Sequence, residues 1–115
     1  MPEGRQMNLE ELLSRITFDR SGLAPVVTQD VSDNTVLMVA YVNAEAIRLT
    51  WEKRVAHYFS RSRNRLWLKG ETSGNVQEID EILYDCDIDT LLYRVKPKGP
   101  ACHTGERTCF YRKLT

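Results

Sequence analysis

No apolar stretch of this 115-residue chain is long enough to cross a bilayer. The longest, Val36–Val42, falls far short of the roughly 20 residues a spanning helix needs. The opening stretch, Met1–Gln6, is polar, contains Pro2 and Gly4, and lacks the apolar centre of a secretory signal. An excess of either charge is missing too: 16 Lys and Arg stand against 16 Asp and Glu, a formal net charge of zero. A protein that held nucleic acid mainly through its phosphates would be more basic. Neither a nucleic-acid partner nor a membrane is therefore expected. Cysteine is scarce and odd in number, and three cannot all pair within one chain. With no signal to export it, the chain is expected in the cytoplasm, its thiols reduced or metal-bound.

What is present is ordinary for a globular protein: 42% hydrophobic and 28% charged residues. The length suits one domain over residues 1–115, without repeats or linkers. It is small enough that a metal or a second subunit would add useful stability. Asn8 is placed to cap a helix with Leu9, Leu12, Leu13 and Ile16 at helical spacing and Glu11 completing a capping box. Ser21-Gly22 breaks it. Pro25–Gln29 and Thr35–Val42 read as strands around a turn-rich Asp30, Ser32, Asp33 and Asn34. Asn43 caps a second helix from Ala44 to about Arg54, with Ile47, Thr50, Trp51 and Arg54 on one face. His57–Ser62 and Leu66–Lys69 form a hairpin turning at Arg63-Asn64, followed by a polar loop, Gly70–Gly74. A long strand with a bulge is expected over Val76–Cys86, and Thr90–Val95 returns antiparallel to it. Lys96–Arg107 is a loop and Thr108–Arg112 a closing strand. The fold class is α+β with a mainly antiparallel twisted sheet and two short helices.

Chemistry-bearing residues concentrate near the end of the chain. In Asp85-Cys86-Asp87-Ile88-Asp89, an extended backbone would put the three carboxylates on one face. A hairpin turn would crowd them as well, and crowded carboxylates repel one another unless a cation neutralises them. The plain alternative is a solvated acidic turn. Cys102 and Cys109 bracket His103-Thr104-Gly105-Glu106-Arg107. Soft thiolates suit zinc, and carboxylates a hard ion such as magnesium. Three protein ligands and one open position make a catalytic zinc site; His103 as a fourth ligand would close it into a structural one. His103 could equally be an acid/base group or a surface residue, the first being preferred beside a metal thiolate. His57 reads as structural. Ser60-Arg61-Ser62-Arg63 and Lys69-Gly70-Glu71-Thr72-Ser73-Gly74 offer cations, hydroxyls and flexible backbone, phosphate-binding groups in kind but not a Walker loop. Solvated hairpin residues are the competing reading.

In order along the chain, several stretches together resemble the phosphoribosyl-AMP cyclohydrolases of histidine biosynthesis. They are Val36-Leu37-Met38-Val39-Ala40-Tyr41-Val42-Asn43, Tyr58-Phe59-Ser60-Arg61-Ser62-Arg63, Leu66-Trp67, Lys69–Gly74, Asp85–Asp89 and Gly99–Phe110. The resemblance runs from about Met7 onward; Val39, Val42 and Thr108 vary positions outside the metal set. It implies a homodimer with zinc at the interface, Cys86 of one subunit meeting Cys102 and Cys109 of the other. It also implies magnesium on Asp85, Asp87 and Asp89, and the stand-alone rather than the fused form of the enzyme. The implied reaction opens the adenine ring of N1-(5-phosphoribosyl)-AMP. A zinc-activated water adds to C6, N1 leaves, and the phosphoribosyl-formimino-aminoimidazole carboxamide ribotide results. His103 is the expected proton shuttle, and Ser60, Arg61, Ser62, Arg63, Lys69, Glu71, Thr72 and Ser73 the expected substrate-binding set. One rival is a zinc-stabilised module that stacks single-stranded nucleic acid on Tyr58 and Trp67 beside Arg61 and Arg63. A deaminase is the other, but it would need His-x-Glu and Pro-Cys-x-x-Cys, and neither occurs.

Overall fold

A computed structural model describes residues 6–115, so most of the polar opening expected over Met1–Gln6 lies outside the described residues. Helix α1 spans Leu9–Arg15 and starts where the sequence placed it. Asn8 Oδ1 accepts the Glu11 N–H at 2.9 Å, and Glu11 Oε1 accepts the Asn8 N–H at 3.3 Å. Helix α2, Ala44–Lys53, is capped by Asn43, whose Oδ1 accepts the Ala46 N–H at 2.8 Å. It ends on Arg54 in a left-handed conformation, φ 61°. The buried face of α2 is Ala46, Ile47 and Thr50, a correction to the expected one. Trp51 turns outward at 45% exposure, and the Arg54 guanidinium lies over its ring at 4.8 Å.

Strands β1 (Ala24–Asp30), β2 (Val36–Val42), β3 (His57–Ser60), β4 (Arg65–Leu68), β5 (Gln77–Tyr84) and β6 (Leu91–Pro97) follow the expected order with shifted ends. Four of them form one sheet in the order β2-β1-β6-β5, and β3 with β4 forms a separate hairpin. The β1–β2 and β5–β6 pairs are antiparallel, and the expected bulge in β5 falls between Ile79 and Glu81. At the centre, β1 and β6 run parallel, from Val26 opposite Leu91 to Asp30 opposite Val95. Alternation cannot reveal such a long-range pairing, because it fixes faces and not neighbours. The expected closing strand Thr108–Arg112 is absent. That segment instead hangs on β2, with Thr108 Oγ1 donating to the Val36 carbonyl at 2.6 Å and the Cys109 N–H to the Leu37 carbonyl at 2.8 Å.

The hairpin packs its inner face on the sheet through Tyr58, which is fully buried. Its hydroxyl donates to Gln77 Oε1 at 2.6 Å, which leaves the Thr28 hydroxyl, 2.7 Å away, to donate to Tyr58. Gln77 Nε2 closes the chain on Met38 Sδ at 3.5 Å. Burial pushes the Tyr58 phenol far above its ordinary pKa, so it stays neutral and keeps its proton for Gln77. Tyr93, also buried, packs 5.7 Å from the Tyr58 ring and donates to Thr50 Oγ1 at 3.3 Å. One phenol thus joins β1, β3 and β5, and no surface base could stack on it. That counts against the nucleic-acid module. Tyr58→Phe should lower unfolding free energy by about 1–3 kcal/mol, the cost of leaving buried partners unsatisfied. Urea denaturation monitored by circular dichroism checks this; a change below about 0.5 kcal/mol would show that the network adds little.

Candidate active site

The β3–β4 hairpin, the end of β2 and the loop after β4 enclose a cleft of about 760 Å³. Asn64, at φ 51°, turns the hairpin. The turn brings Ser60, Arg61, Ser62 and Arg63 to one rim, while Glu71, Thr72 and Ser73 form the other. Gly70 makes the second rim possible. It sits at φ +87°, and a Cβ there would lie 2.5 Å from the Asn75 carbonyl carbon and the Val76 nitrogen. Glu71 is an organiser of this rim: its Oε1 accepts the Leu68 N–H at 3.1 Å, and its Oε2 lies 3.9 Å from Arg65. Of the eight residues expected to bind substrate, seven line the cleft. Lys69 is the exception, lying instead close enough to Cys109 to favour its thiolate. His103 lines the cleft as well.

The expected set omitted the aromatic walls. Tyr41, Phe59 and Trp67 line the cleft, as does Arg65. The Arg61 guanidinium covers the Tyr41 ring at 4.5 Å, and Trp67 leans on buried Tyr58 with ring centroids 5.0 Å apart. Trp67 pairs with Tyr58 and shares its face while Phe59 lies on the other, so these walls follow from the hairpin register and not from alternation alone. Chemically the cleft pairs three guanidiniums with one carboxylate, adds hydroxyls, and offers flat apolar walls. Such a surface suits an anionic ligand carrying a planar ring.

The cysteines divide into two places. Cys102 and Cys109 lie near each other, close enough that each thiol affects the ionisation of the other. The Thr104 hydroxyl, 3.0 Å from Cys102 Sγ, and the Thr104 N–H hold the Cys102 thiol below its ordinary pKa, helped by Cys109. Burial pushes Cys109 up, and its partner thiol adds to this. In such a pair one thiol gives up its proton more easily than the other, and a bound cation would deprotonate both. Soft zinc fits it.

Cys86 lies elsewhere, exposed in the turn between β5 and β6, and does not join Cys102 and Cys109 within the protomer. That turn decides the question left by the sequence: Asp85–Asp89 is not extended. Ile88 takes a left-handed backbone, φ 53°, which is costly for a β-branched residue. Its carbonyl is held by the Thr17 N–H at 2.8 Å and its side chain packs on the core. The result crowds the carboxylates: one oxygen each of Asp85, Asp87 and Asp89 lies within 4.8 Å of the others. Asp85 Oδ1 accepts the Asp89 N–H at 3.1 Å, the first cause of its lowered pKa. Asp89 is pushed up, first by its hydrogen bond with the Asp85 carboxylate and then by burial and the neighbouring charges. A hard divalent cation would relieve this crowding, and three oxygen donors are the right chemistry for magnesium. A second cleft, about 660 Å³, borders Asp85 and Cys86 and includes Arg15 and Tyr84.

These features define a small α+β domain with a guanidinium-lined cleft and a nearby thiol pair, chemistry suited to an enzyme acting on a small charged molecule. Residues 38–111 match the family described as phosphoribosyl-AMP cyclohydrolase. The chain is 63% identical over 99 residues to the phosphoribosyl-AMP cyclohydrolase of Archaeoglobus fulgidus, covering 86% of this chain and 92% of that one. It is 55% identical over 106 residues to that of Chlorobium chlorochromatii, covering 92% and 77%. It is also 58% identical to the histidine biosynthesis bifunctional protein HisIE of Thermus thermophilus, matching 89% of this chain and 48% of the relative. The chain belongs to the phosphoribosyl-AMP cyclohydrolase family, hydrolases of histidine biosynthesis. Among the described residues, no helix is long and apolar enough to cross a membrane.

The loop carrying the thiol pair is tied down by charge. Arg107 Nη2 lies 3.0 Å from Asp30 Oδ2 and 2.8 Å from Asp33 Oδ2. Burial raises the Asp30 pKa, but the Ser32 N–H and hydroxyl and then Arg107 outweigh it, so the net shift is downward. Asp33 is lowered by the Thr35 N–H first, and Arg107 adds to this. A carboxylate with a lowered folded pKa contributes stability that is fully present above about pH 4, its unfolded value, and disappears as pH falls through the folded one. Asp30→Asn should therefore unfold more easily than the parent at pH 7, and the gap between the two curves should shrink as pH falls below about 4. Denaturant titrations across that range, in excess chelator, provide the check. A gap that did not change with pH across the acid range would mean Asp30 acts by packing and not by charge.

Proposed function

We propose that this chain adds water across the N1–C6 bond of N1-(5-phosphoribosyl)-AMP, using zinc at the cysteines and magnesium at the aspartates, as a cytoplasmic homodimer. The observation that supports this most is the cleft, where guanidiniums, hydroxyls and aromatic walls meet His103 beside the thiol pair. Arg61, Arg63 and the Thr72 and Ser73 hydroxyls bind the phosphates, and Lys69 helps as a nearby cation. Ser60 and Ser62 orient a ribose or phosphate oxygen at the hairpin turn. Tyr41, Phe59 and Trp67 hold the adenine plane and keep bulk water from its faces. Glu71 holds the rim in shape.

Cys86, Cys102 and Cys109 would hold the zinc, which when bound supplies a water of pKa roughly 7 in place of 15.7. Asp85, Asp87 and Asp89 would hold the magnesium. His103 takes a proton from the attacking water and returns it to N1 as the ring opens, so that C6 gains oxygen, N1 gains hydrogen and no ammonia is lost. A deaminase would expel the exocyclic amine instead. Because Cys86 stands apart from the other two thiols in one protomer, a second copy supplies it in this reading. Zinc retention and association are then coupled.

Incubation of the purified protein with the substrate, magnesium and zinc, followed by mass spectrometry, should show a gain of one water without ammonia, abolished by chelator and restored by zinc. No turnover by zinc-loaded protein would dispose of the reading. His103→Ala should keep its zinc and its KM while kcat falls by about 10²–10⁴; normal turnover would remove His103 from the mechanism. Cys86→Ser should lose zinc and dissociate on size exclusion. A zinc-replete monomer would contradict the shared site.

A further inference from the structure

We propose that Arg107 is a positioning residue, a guanidinium clasp that holds the loop bearing Cys102, His103 and Cys109 in working geometry against the sheet. The segment needs such a device because it is not a strand and makes no ladder with β2. Within the loop, the Ala101 N–H donates to the Arg107 carbonyl at 3.1 Å, the Cys102 N–H to Glu106 at 3.2 Å, and the Gly105 N–H to Cys102 at 3.0 Å. Arg107 therefore closes the neck with its own backbone. Its side chain reaches the turn between β1 and β2, where Nη2 meets Asp30 and Asp33 and Nη1 meets Thr35 Oγ1 at 3.3 Å.

The receiving site is built before the arginine arrives. Asp30 is 8% exposed, and its Oδ1 is already held by the Ser32 N–H at 2.9 Å and the Ser32 hydroxyl at 2.7 Å, leaving Oδ2 for Arg107. Asp33 Oδ1 accepts the Thr35 N–H at 3.1 Å. Both carboxylates are thus aimed by the turn, and a planar fork can bind both together with the hydroxyl. From there the chain passes directly to Thr108 and Cys109 on the edge of β2. Among the described residues, the hydrogen-bond and ion-pair partners of the Arg107 side chain are Asp30, Asp33 and Thr35, none of which lines the cleft. Substrate binding and loop position are consequently held by separate contacts, and a loosened clasp should spare the first.

This inference rests on the proposed reaction for its kinetic and metal readouts, but not for its structural one. Arg107→Met and the milder Asp33→Asn, whose target is exposed, are compared with Arg107→Lys in the full chain. Hydrogen exchange read by mass spectrometry should speed up at the Cys102 and Cys109 amides and stay unchanged across β1 and β6. KM should move less than about twofold, whereas kcat should fall on the order of tenfold to a hundredfold, the effect of a small misplacement of reacting groups. Zinc transfer to a chromogenic chelator should quicken by about tenfold, as for other groups that orient metal ligands. Arg107→Lys should lie between, since charge returns without the fork. Wild-type protection at both amides in Arg107→Met and Asp33→Asn would overturn the clasp, as would exchange raised equally in every strand. A parent protein without zinc would sink the metal reading, while the exchange experiment still decides the clasp.

Discussion

The cleft exists because a two-stranded hairpin is fixed to a four-stranded sheet, and that attachment centres on one buried phenol. A hairpin of four-residue strands is not stable alone in water. Tyr58 supplies what it lacks: its ring fills the space beside Tyr93, and its hydroxyl satisfies both Thr28 on β1 and Gln77 on β5. Since the turn of the same hairpin carries Arg61 and Arg63, and Trp67 shares the face of Tyr58, the placement of these cleft groups follows from that internal bond pattern. Main-chain bonds assist, with the Ala56 N–H donating to Gln77 at 2.9 Å and the Lys69 N–H to Ala56 at 3.1 Å. The ends of the hairpin therefore cannot drift from β5.

Local signals were legible in the sequence and distant pairings were not. Asn8 and Asn43 announced both helices because a cap is a contact within three residues. The bulge in β5 was readable as a lapse in alternation. The parallel β1–β6 pairing joins residues about 65 apart and leaves no local trace. Trp51 was misplaced because a helix carrying a wide apolar face has edge positions, and here the edge residue covers itself with Arg54. Thr108–Arg112 failed as a strand for a different reason. Its neighbour Arg107 commits the backbone to the neck of a loop, and only one main-chain bond to β2 remains. On the site, motif order drew together seven residues that line the cleft, while the aromatic walls needed the register of the hairpin. Arg107 was invisible, because its partners lie more than 70 residues earlier.

Zero net charge conceals a strong internal segregation. The cleft gathers Arg61, Arg63 and Arg65 against Glu71, whereas the β5–β6 turn gathers Asp85, Asp87 and Asp89. Each cluster is unfavourable alone: like charges repel, and the Asp85–Asp89 interaction already raises one carboxyl. Folding energy from the core is what tolerates this, and Ile88 contributes by anchoring its strained turn on apolar neighbours. Composition gives the zero balance but says nothing about where the compensating charges stand.

The same segregation bears on the proposed pairing of two copies. Hard oxygen donors and one thiol occupy one turn; the other two thiols and a histidine occupy a loop beside the cationic cleft. Bringing all of them together in one protomer would require crowding two loops and their charges onto a domain of this size. Docking the acidic turn of one copy toward the cationic cleft of another would neutralise both clusters at once, each charge set serving as the counter-charge of the other. On that view the clasp at Arg107 and the strained turn at Ile88 are counterparts. Each holds half of a centre rigid before its other half arrives, so that assembly would have to order neither loop.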